Sequence, residues 1–337
     1  MTAVKEALEQ AVCLHLKGDL QPAAQIYQSI LAAQPNNADA LQLSGVMAHQ
    51  QGQFQTAIDL LKRAAEINPE PRTLHNLAAA LRTIGRFDEA LEYLPAARTE
   101  TADSRVPFHF EGRFSSPLVD AGHRPGPSQR YNLLQDIARG ELLNFLICEK
   151  GYRSYLEIGC DRDQTFSLIQ APHRVGVDPV SGGTLRMTSD DFFHCCREKF
   201  DLIFIDGEHE QRQVLTDVEH ALTCLAPGGA IVLHDCLPAE EIQQVQPRQV
   251  SVWTGDVWKA AVQLRKRTDI DLTVLDSDFG LGVLFAQPPR SPLPADTPIA
   301  ELLAWTDFCC DRERLLQVVD LAGMVDFIRR SGRTQAA

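Results

Sequence analysis

A repeat of about 34 residues governs the first part of the chain. Gly18, Gly52 and Gly85 lie 34 and 33 residues apart. Two positions after each stands an apolar residue, Leu20, Phe54 or Phe87, and five positions after each stands Ala23, Ala57 or Ala90. Tyr27, Leu61 and Leu94 keep the same phase, and Pro35 and Pro69 close the first two units. One such unit cannot bury its own apolar face, so units must stack on their neighbours. The spacing predicts a helix, a Gly turn, a second helix and a Pro stop. Gly permits the tight turn, the small Ala lets two helices approach, and Pro cannot continue a helix.

The pattern G-x-F-x-x-A-x-x-x-L, read in Gly52–Leu61 and Gly85–Leu94, resembles the second half of the tetratricopeptide repeat. The resemblance covers about residues 5–98, three repeats, and places a first domain at 1–98. It implies a surface that binds a partner protein in its concave face, self-associates, or braces the next domain. Fold alone does not choose among these.

A chain of 337 residues has room for a second domain beyond the array. Residues 99–128 are rich in Thr, Ser, Pro and Gly and read as a linker. From residue 129 to 288 the pattern alternates between helix and strand. A helix at about Tyr131–Glu149 leads to strands at Ser154–Ile158 and Val175–Val177, with a short one at Thr184–Met187. Asp201–Ile205 is a nearly wholly apolar strand, as a buried parallel strand is. The helix Gln211–Leu225 and the strand Ala230–Leu233 follow. Leu272–Leu275 and Gly282–Phe285 flank the short loop Asp276–Gly280, which implies an antiparallel hairpin. The fold class expected is therefore helical repeats followed by a Rossmann-like, doubly wound α/β sheet with an antiparallel edge. Residues 289–337 read as a helical extension, with helices at Ile299–Asp307 and Arg312–Arg330 and a frayed end at Ala336–Ala337.

Charge and composition narrow the function. The net charge of −13 repels phosphate backbones and anionic lipid, so no nucleic-acid or membrane partner is expected. No apolar run approaches the roughly 18 residues of a membrane span. Nine cysteines, none in a C-x-x-C pair, read as reduced thiols in a cytoplasmic protein.

The ends of the predicted strands carry the polar residues. Glu157 and Gly159 end the first, and Asp178 ends the second, 21 residues after Glu157. That spacing suits an acid that holds ribose hydroxyls. A dinucleotide would want G-x-G-x-x-G, but the chain has Gly159 followed by Asp161 and Asp163. Those acids repel a pyrophosphate, which favours a nucleoside cofactor without phosphates. Asp178 before Pro179 also suits a turn, and Glu157 a helix cap.

YLEIG at 155–159, VGVDP at 175–179, TSDDFF at 188–193, FDLIFIDGEH at 200–209 and LAPGGAIVLHD at 225–235 together resemble class I S-adenosylmethionine-dependent methyltransferases. The set looks most like the small-molecule O-methyltransferase branch and covers about 130–287. The resemblance implies that Glu157 and Gly159 line the methionine part of S-adenosyl-L-methionine, that Asp178 holds the ribose, and that Ser189 and Asp190 meet the adenine. Asp161 and Asp163 depart from the family's glycine-rich loop. The resemblance also places a catalytic base at His209, beside Asp206. An imidazole accepts a hydroxyl proton near neutral pH; a surface role for His209 at a helix entry is the other reading.

Asp206, His234 and Asp235 end neighbouring strands and form a candidate set for a divalent metal ion, two carboxylates and an imidazole. A hydrogen-bonded polar cluster at the sheet mouth is equally consistent with these residues. Catechol-type enzymes carry acids or amides there, and His234 departs from that pattern. Asp217 reads as a solvent-side helix acid. Trp253 and Trp258 either cover an acceptor pocket or pack around an Asp256 helix cap.

These readings converge on S-adenosylmethionine-dependent methyl transfer, to an oxygen of a small molecule or sugar, by a domain fused to repeats that bind a partner or self-associate. The alternatives are a methyltransferase-like scaffold without catalysis, suggested by Asp161 and Asp163, and a metal-dependent hydroxylase on the same fold.

Overall fold

A computed structural model describes residues 2–97 and 136–332. The predicted linker at 99–128, the start of the predicted helix at 131–135 and the terminal alanines lie outside the described residues. The chain divides into two compact units, one within residues 1–113 and the other within 114–337.

Among its described residues the first unit holds six helices: α1 (Thr2–Leu16), α2 (Leu20–Ala33), α3 (Ala38–Gln50), α4 (Phe54–Ile67), α5 (Pro71–Thr83) and α6 (Phe87–Ala97). They pair as the repeat predicts, with Gly18, Gly52 and Gly85 in each pair's turn at φ 84°, 73° and 77°. A Cβ at Gly18 or Gly52 would meet nothing within 4 Å, so the requirement there is conformational rather than steric. Ala23, Ala57 and Ala90 are fully buried between helices, with Tyr27, Leu61 and Leu94 buried beside them.

The second unit is built on a seven-stranded sheet of order β2-β1-β3-β4-β6-β5-β7. Its strands are β1 (Ser154–Ile158), β2 (His173–Val177), β3 (Phe200–Ile205), β4 (Leu225–Leu233), β5 (Asp271–Leu275), β6 (Leu281–Phe285) and β7 (Val318–Val319). β1 to β4 are parallel, and β6 runs antiparallel between β4 and β5 as the predicted hairpin. From β1 the chain moves outward to β2 and then returns to β3 on the other side. The sheet therefore has its switch point between β1 and β3, where open α/β sheets leave a crevice at the strand carboxyl ends.

Some expected elements differ from what is found, among them the predicted helix at 131–149, whose described residues 136–138 are not helical. Thr184–Met187 contributes one isolated bridge, Val177 to Leu185, rather than a strand. Thr184 instead donates its backbone N–H to the Gly176 carbonyl at 2.8 Å and turns the chain back. The tail is not wholly helical: between α11 (Trp305–Leu316) and α12 (Leu321–Arg330) it supplies β7, parallel to β5. Gln317 at φ 51° ends α11 and lets the two valines pair with the sheet edge. Ile299–Asp307 holds only a short 3-10 turn, Ala300–Leu302, ahead of α11.

The helices that position the site are α7 (Arg139–Lys150), α8 (Ser189–Cys195), α9 (Gln211–Cys224) and α10 (Val257–Arg265). Val214, Val218 and Ala221 of α9 and Trp258 and Ala261 of α10 join Ile203 and Ile231 of the sheet in one apolar core. Asp256 Oδ1 accepts the Gln211 N–H at 2.6 Å, so it caps α9 rather than its own helix. Asp217 is buried, not solvent-side: its Oδ1 accepts from Gln213 Nε2 at 3.2 Å on the core face of α9, and burial raises its pKa. No helix among the described residues is long and apolar enough to cross a membrane.

Candidate active site

A cleft of about 1250 Å³ opens at the carboxyl ends of β1 to β4. Glu157, Gly159, Asp178, Ser189, Asp190, Asp206, His209, His234 and Asp235 all line it. Among the described residues seven non-glycines take positive φ, and Asp161, Asp235, Asp278 and Phe279, four of them, also line this cleft. Such backbone persists only where surrounding bonds hold it, and it concentrates at functional sites.

On the β1–β2 side, loops are laced together by carboxylates. Asp178 Oδ2 accepts the N–H groups of Cys160 and Asp161, each at 3.0 Å. Its Oδ1 accepts those of Val180 and Ser181 at 2.7 and 2.8 Å. Four amides saturate a carboxylate, and they hold its pKa below the usual range against the upward push of burial. Asp163 Oδ1 accepts the Gly183 N–H at 2.6 Å, and Ser181 Oγ donates to the Asp161 carbonyl at 2.9 Å. Asp161 and Asp163 stand at φ 44° and 61°, backbone a glycine would take with less strain. The departure from a glycine-rich loop thus has a physical content: acids stitch the loop after β1 to the loop after β2. Gly159 is required twice over, by φ 86° and by the Asp206 carbonyl, which a Cβ would meet at 2.2 Å. Glu157 is buried and accepts a hydrogen bond from the Tyr155 hydroxyl; burial pushes its pKa up to about 8.

On the β3–β4 side the charged groups meet. His209 Nδ1 lies 3.0 Å from the Trp253 carbonyl and 3.0 Å from Asp235 Oδ2. Both neighbours are acceptors, so Nδ1 is the nitrogen placed to carry the proton of a neutral ring, with Nε2 3.7 Å from Asp206 Oδ1. The His209 ring stacks on Trp253 at 5.4 Å between centroids and 10° between planes. His234 directs Nε2 to the Asp278 carbonyl at 2.9 Å and Nδ1 to Asp206 Oδ1 at 3.0 Å, with Asp235 Oδ1 at 3.2 Å. Burial alone would lower its pKa, but the pull of Asp206 and the bonds to these acids carry it well above the ordinary imidazole value. Acceptors face both ring nitrogens, an arrangement that favours the charged form, although Arg139 Nη1 also lies 3.1 Å from Nδ1.

Arg139, the first residue of α7, completes the cluster. Its Nη1 donates to Asp206 Oδ2 at 2.6 Å, its Nε to Asp278 Oδ2 at 3.0 Å and its Nη2 to Asp278 Oδ1 at 3.2 Å. The Arg139 backbone N–H also donates to Asp278 Oδ2, at 2.8 Å. Against the upward push of burial, His234 and Arg139 bring Asp206 and Asp278 below the usual carboxylate range.

Arg139 and Asp278 escaped the sequence reading. Asp278 lay in a loop read only as a hairpin turn, and Arg139 lay inside a predicted helix; no spacing relates them across 139 residues. One usable signal was chemical: an Asp-Ser-Asp run in a turn beside a parallel sheet's mouth. Of the two tryptophans, Trp253 lines the cleft while Trp258 is fully buried against Phe308. One ligand atom each from Asp206, His209 and Asp235 lie within 4.8 Å of one another, a grouping with the chemistry to hold a divalent ion. His234, expected in that set, has both ring nitrogens engaged by other partners.

Residues 132–236 match the family model of a methyltransferase domain, and residues 17–70 and 48–106 match two tetratricopeptide-repeat models. The chain is a tetratricopeptide-repeat array joined to a methyltransferase domain. No curated protein sequence matches the chain. Among solved structures, MamA of AMB-1 is 28% identical over 28% of this chain and 52% of its own, at a TM-score of 0.26. The TPR2B domain of yeast Sti1, solved with pHsp70, is 25% identical over 29% of this chain and 80% of its own, at 0.28. The Yersinia enterocolitica translocator chaperone SycD is 20% identical over 29% of this chain and 74% of its own, at 0.27. The chain spans about half the length of MamA.

Proposed function

We propose that the methyltransferase domain uses S-adenosylmethionine to methylate an oxygen of a small molecule or sugar, with His209 as the base. The observation that carries this reading is the placement of His209 Nδ1 between two acceptors, which selects the tautomer of the neutral ring. Its Nδ1–H is held by Trp253 and Asp235, and its Nε2 is left for a substrate proton inside the switch-point crevice.

The cleft's chemistry suits this cofactor. Asp161, Asp178, Asp190, Asp206 and Glu208 line it, an acidic wall that favours a cationic sulfonium and disfavours a pyrophosphate or a nucleic-acid backbone. Glu157 and Gly159 would meet the methionine end, and Ser189 and Asp190, at the start of α8, the adenine. Asp178 would serve the ribose by holding the two loops that wall it, since its four acceptor positions are occupied by amides. Bound there, the cofactor supplies an activated methyl group on sulfur. The chain's own part is to align the acceptor hydroxyl and to take its proton at His209 Nε2 as the new oxygen–carbon bond forms. Asp206 faces the same nitrogen and stabilises the imidazolium so formed. The repeats would bring a protein partner or a second copy, in the cytoplasm.

The saturated Asp178 favours one second reading, a scaffold that has lost catalysis. Calorimetry with S-adenosylmethionine and S-adenosylhomocysteine separates the two. Micromolar binding, with methyl turnover lost in His209→Ala, is expected; absence of binding to the wild-type chain would sink the methyltransferase reading.

A further inference from the structure

Three carboxylates converge on the β3–β4 side of the cleft: Asp206 after β3, Asp235 after β4 and Asp278 in the β5–β6 turn. Acids gathered at one site require nearby positive charge. A divalent ion is one way to supply it, and the chain contains another.

We propose that the Arg139 guanidinium occupies the seat a divalent cation would take, so that the site works without a metal. The fork of Arg139 joins two of the three converging acids, Nη1 on Asp206 at 2.6 Å and Nε and Nη2 on Asp278 at 3.0 and 3.2 Å. A planar guanidinium suits this two-sided grip, and an ammonium would not reproduce it. The position is anchored in the backbone as well, because Asp278 Oδ2 accepts the Arg139 N–H at 2.8 Å and so ties the start of α7 to the hairpin turn. Two further carboxylate oxygens are also committed. Asp206 Oδ1 faces His234 Nδ1 at 3.0 Å, and Asp235 Oδ2 faces His209 Nδ1 at 3.0 Å. To ligate through Nδ1, His209 would have to give up the Trp253 carbonyl. An ion entering between Asp206 and Asp235 would compete with the Arg139 and His234 bonds to Asp206, and it would meet the guanidinium already there.

The inference concerns the cleft of the proposed methyl transfer but does not need that reading to be correct, since its test measures ion binding alone. Full-length protein stripped with chelator is titrated with Mn²⁺, and free ion is followed by electron paramagnetic resonance. Wild type is expected to show no saturable site at millimolar Mn²⁺ and the same melting temperature with and without EDTA. Arg139→Gln, which vacates the seat and leaves the acids, is expected to bind Mn²⁺ at least about tenfold more tightly. Adding Asp206→Asn should abolish that gain. One Mn²⁺ per wild-type chain, lost in Asp206→Asn, would overturn the proposal. So would an Arg139→Gln chain that melts cooperatively yet ignores Mn²⁺ as wild type does. Should that variant not melt cooperatively, the wild-type titration decides alone.

Discussion

Asp235 Oδ2 stands 3.0 Å from His209 Nδ1, and Asp235 itself is held at φ 61°, in the left-handed region that few residues other than glycine enter. The pair comes from different strand ends, Asp235 just past β4 and His209 after β3. The carboxylate fixes which ring nitrogen of His209 keeps its proton, which makes Asp235 a positioning residue for the proposed base. His209→Ala should lower kcat by about 10²–10⁴-fold, the usual worth of a general base. Asp235→Asn should also lower kcat, with KM little changed and the alkaline-side plateau of the rate profile displaced. A wild-type rate profile in Asp235→Asn would remove its positioning role.

Much of this arrangement could be read in the chain, and what could not has a common cause. The repeat period, the strand ends and the hairpin are local signals, because turn glycines and apolar alternation act over a few residues. Asp206, His209, His234 and Asp235 each follow a recognisable strand, so their meeting was legible from a parallel order. Arg139 and Asp278 were not, since their bond joins a helix start to a hairpin turn far away in sequence. Asp217 was misjudged because α9 carries Gln213 one turn earlier, which satisfies the acid within the core. The two-residue strand β7 depends on a tail folding back beside β5, and two valines alone announce nothing of the kind.

Asp178 separates a cofactor contact from a structural clip. Its carboxylate gathers four amides from two loops, and bonds to a charged group contribute about 1.5–3 kcal/mol each, less than additively. Asp178→Ala should therefore destabilise the domain by roughly 2–4 kcal/mol even without cofactor. Hydrogen exchange at residues 160, 161, 180 and 181 should accelerate in the same ligand-free variant. Unchanged melting and exchange, with only cofactor affinity lost, would restore Asp178 to a plain ribose contact.

The repeat array tolerates little change at its small positions. Ala57 is fully buried on α4. Ala57→Leu should destabilise the array by about 1–3 kcal/mol or more through overpacking. Gly52→Ala, at φ 73° with open space around it, should cost about 1–2 kcal/mol for backbone reasons alone. Thermal unfolding of the two variants distinguishes the causes: Gly52→Asn should recover much of the loss, because asparagine enters the left-handed region readily.

Glu157 gives the domain a pH dependence of definite sign. Burial raises its folded pKa to about 8, against an ordinary carboxyl near 4.5. Between those values the folded chain keeps a proton that the unfolded chain releases, so this group's contribution to stability declines as pH rises through that window. The decline is at most roughly 1.4 kcal/mol for each pH unit. Glu157→Gln keeps a hydrogen-bond acceptor for the Tyr155 hydroxyl and removes the titration. Relative to wild type, the variant should be near-neutral at a pH close to the ordinary carboxyl value and should gain stability steadily toward pH 8. Denaturant melts of both chains at a series of pH values measure the difference directly. A gap that stays constant with pH, or that narrows as pH rises, would show that Glu157 is ionised in the folded domain.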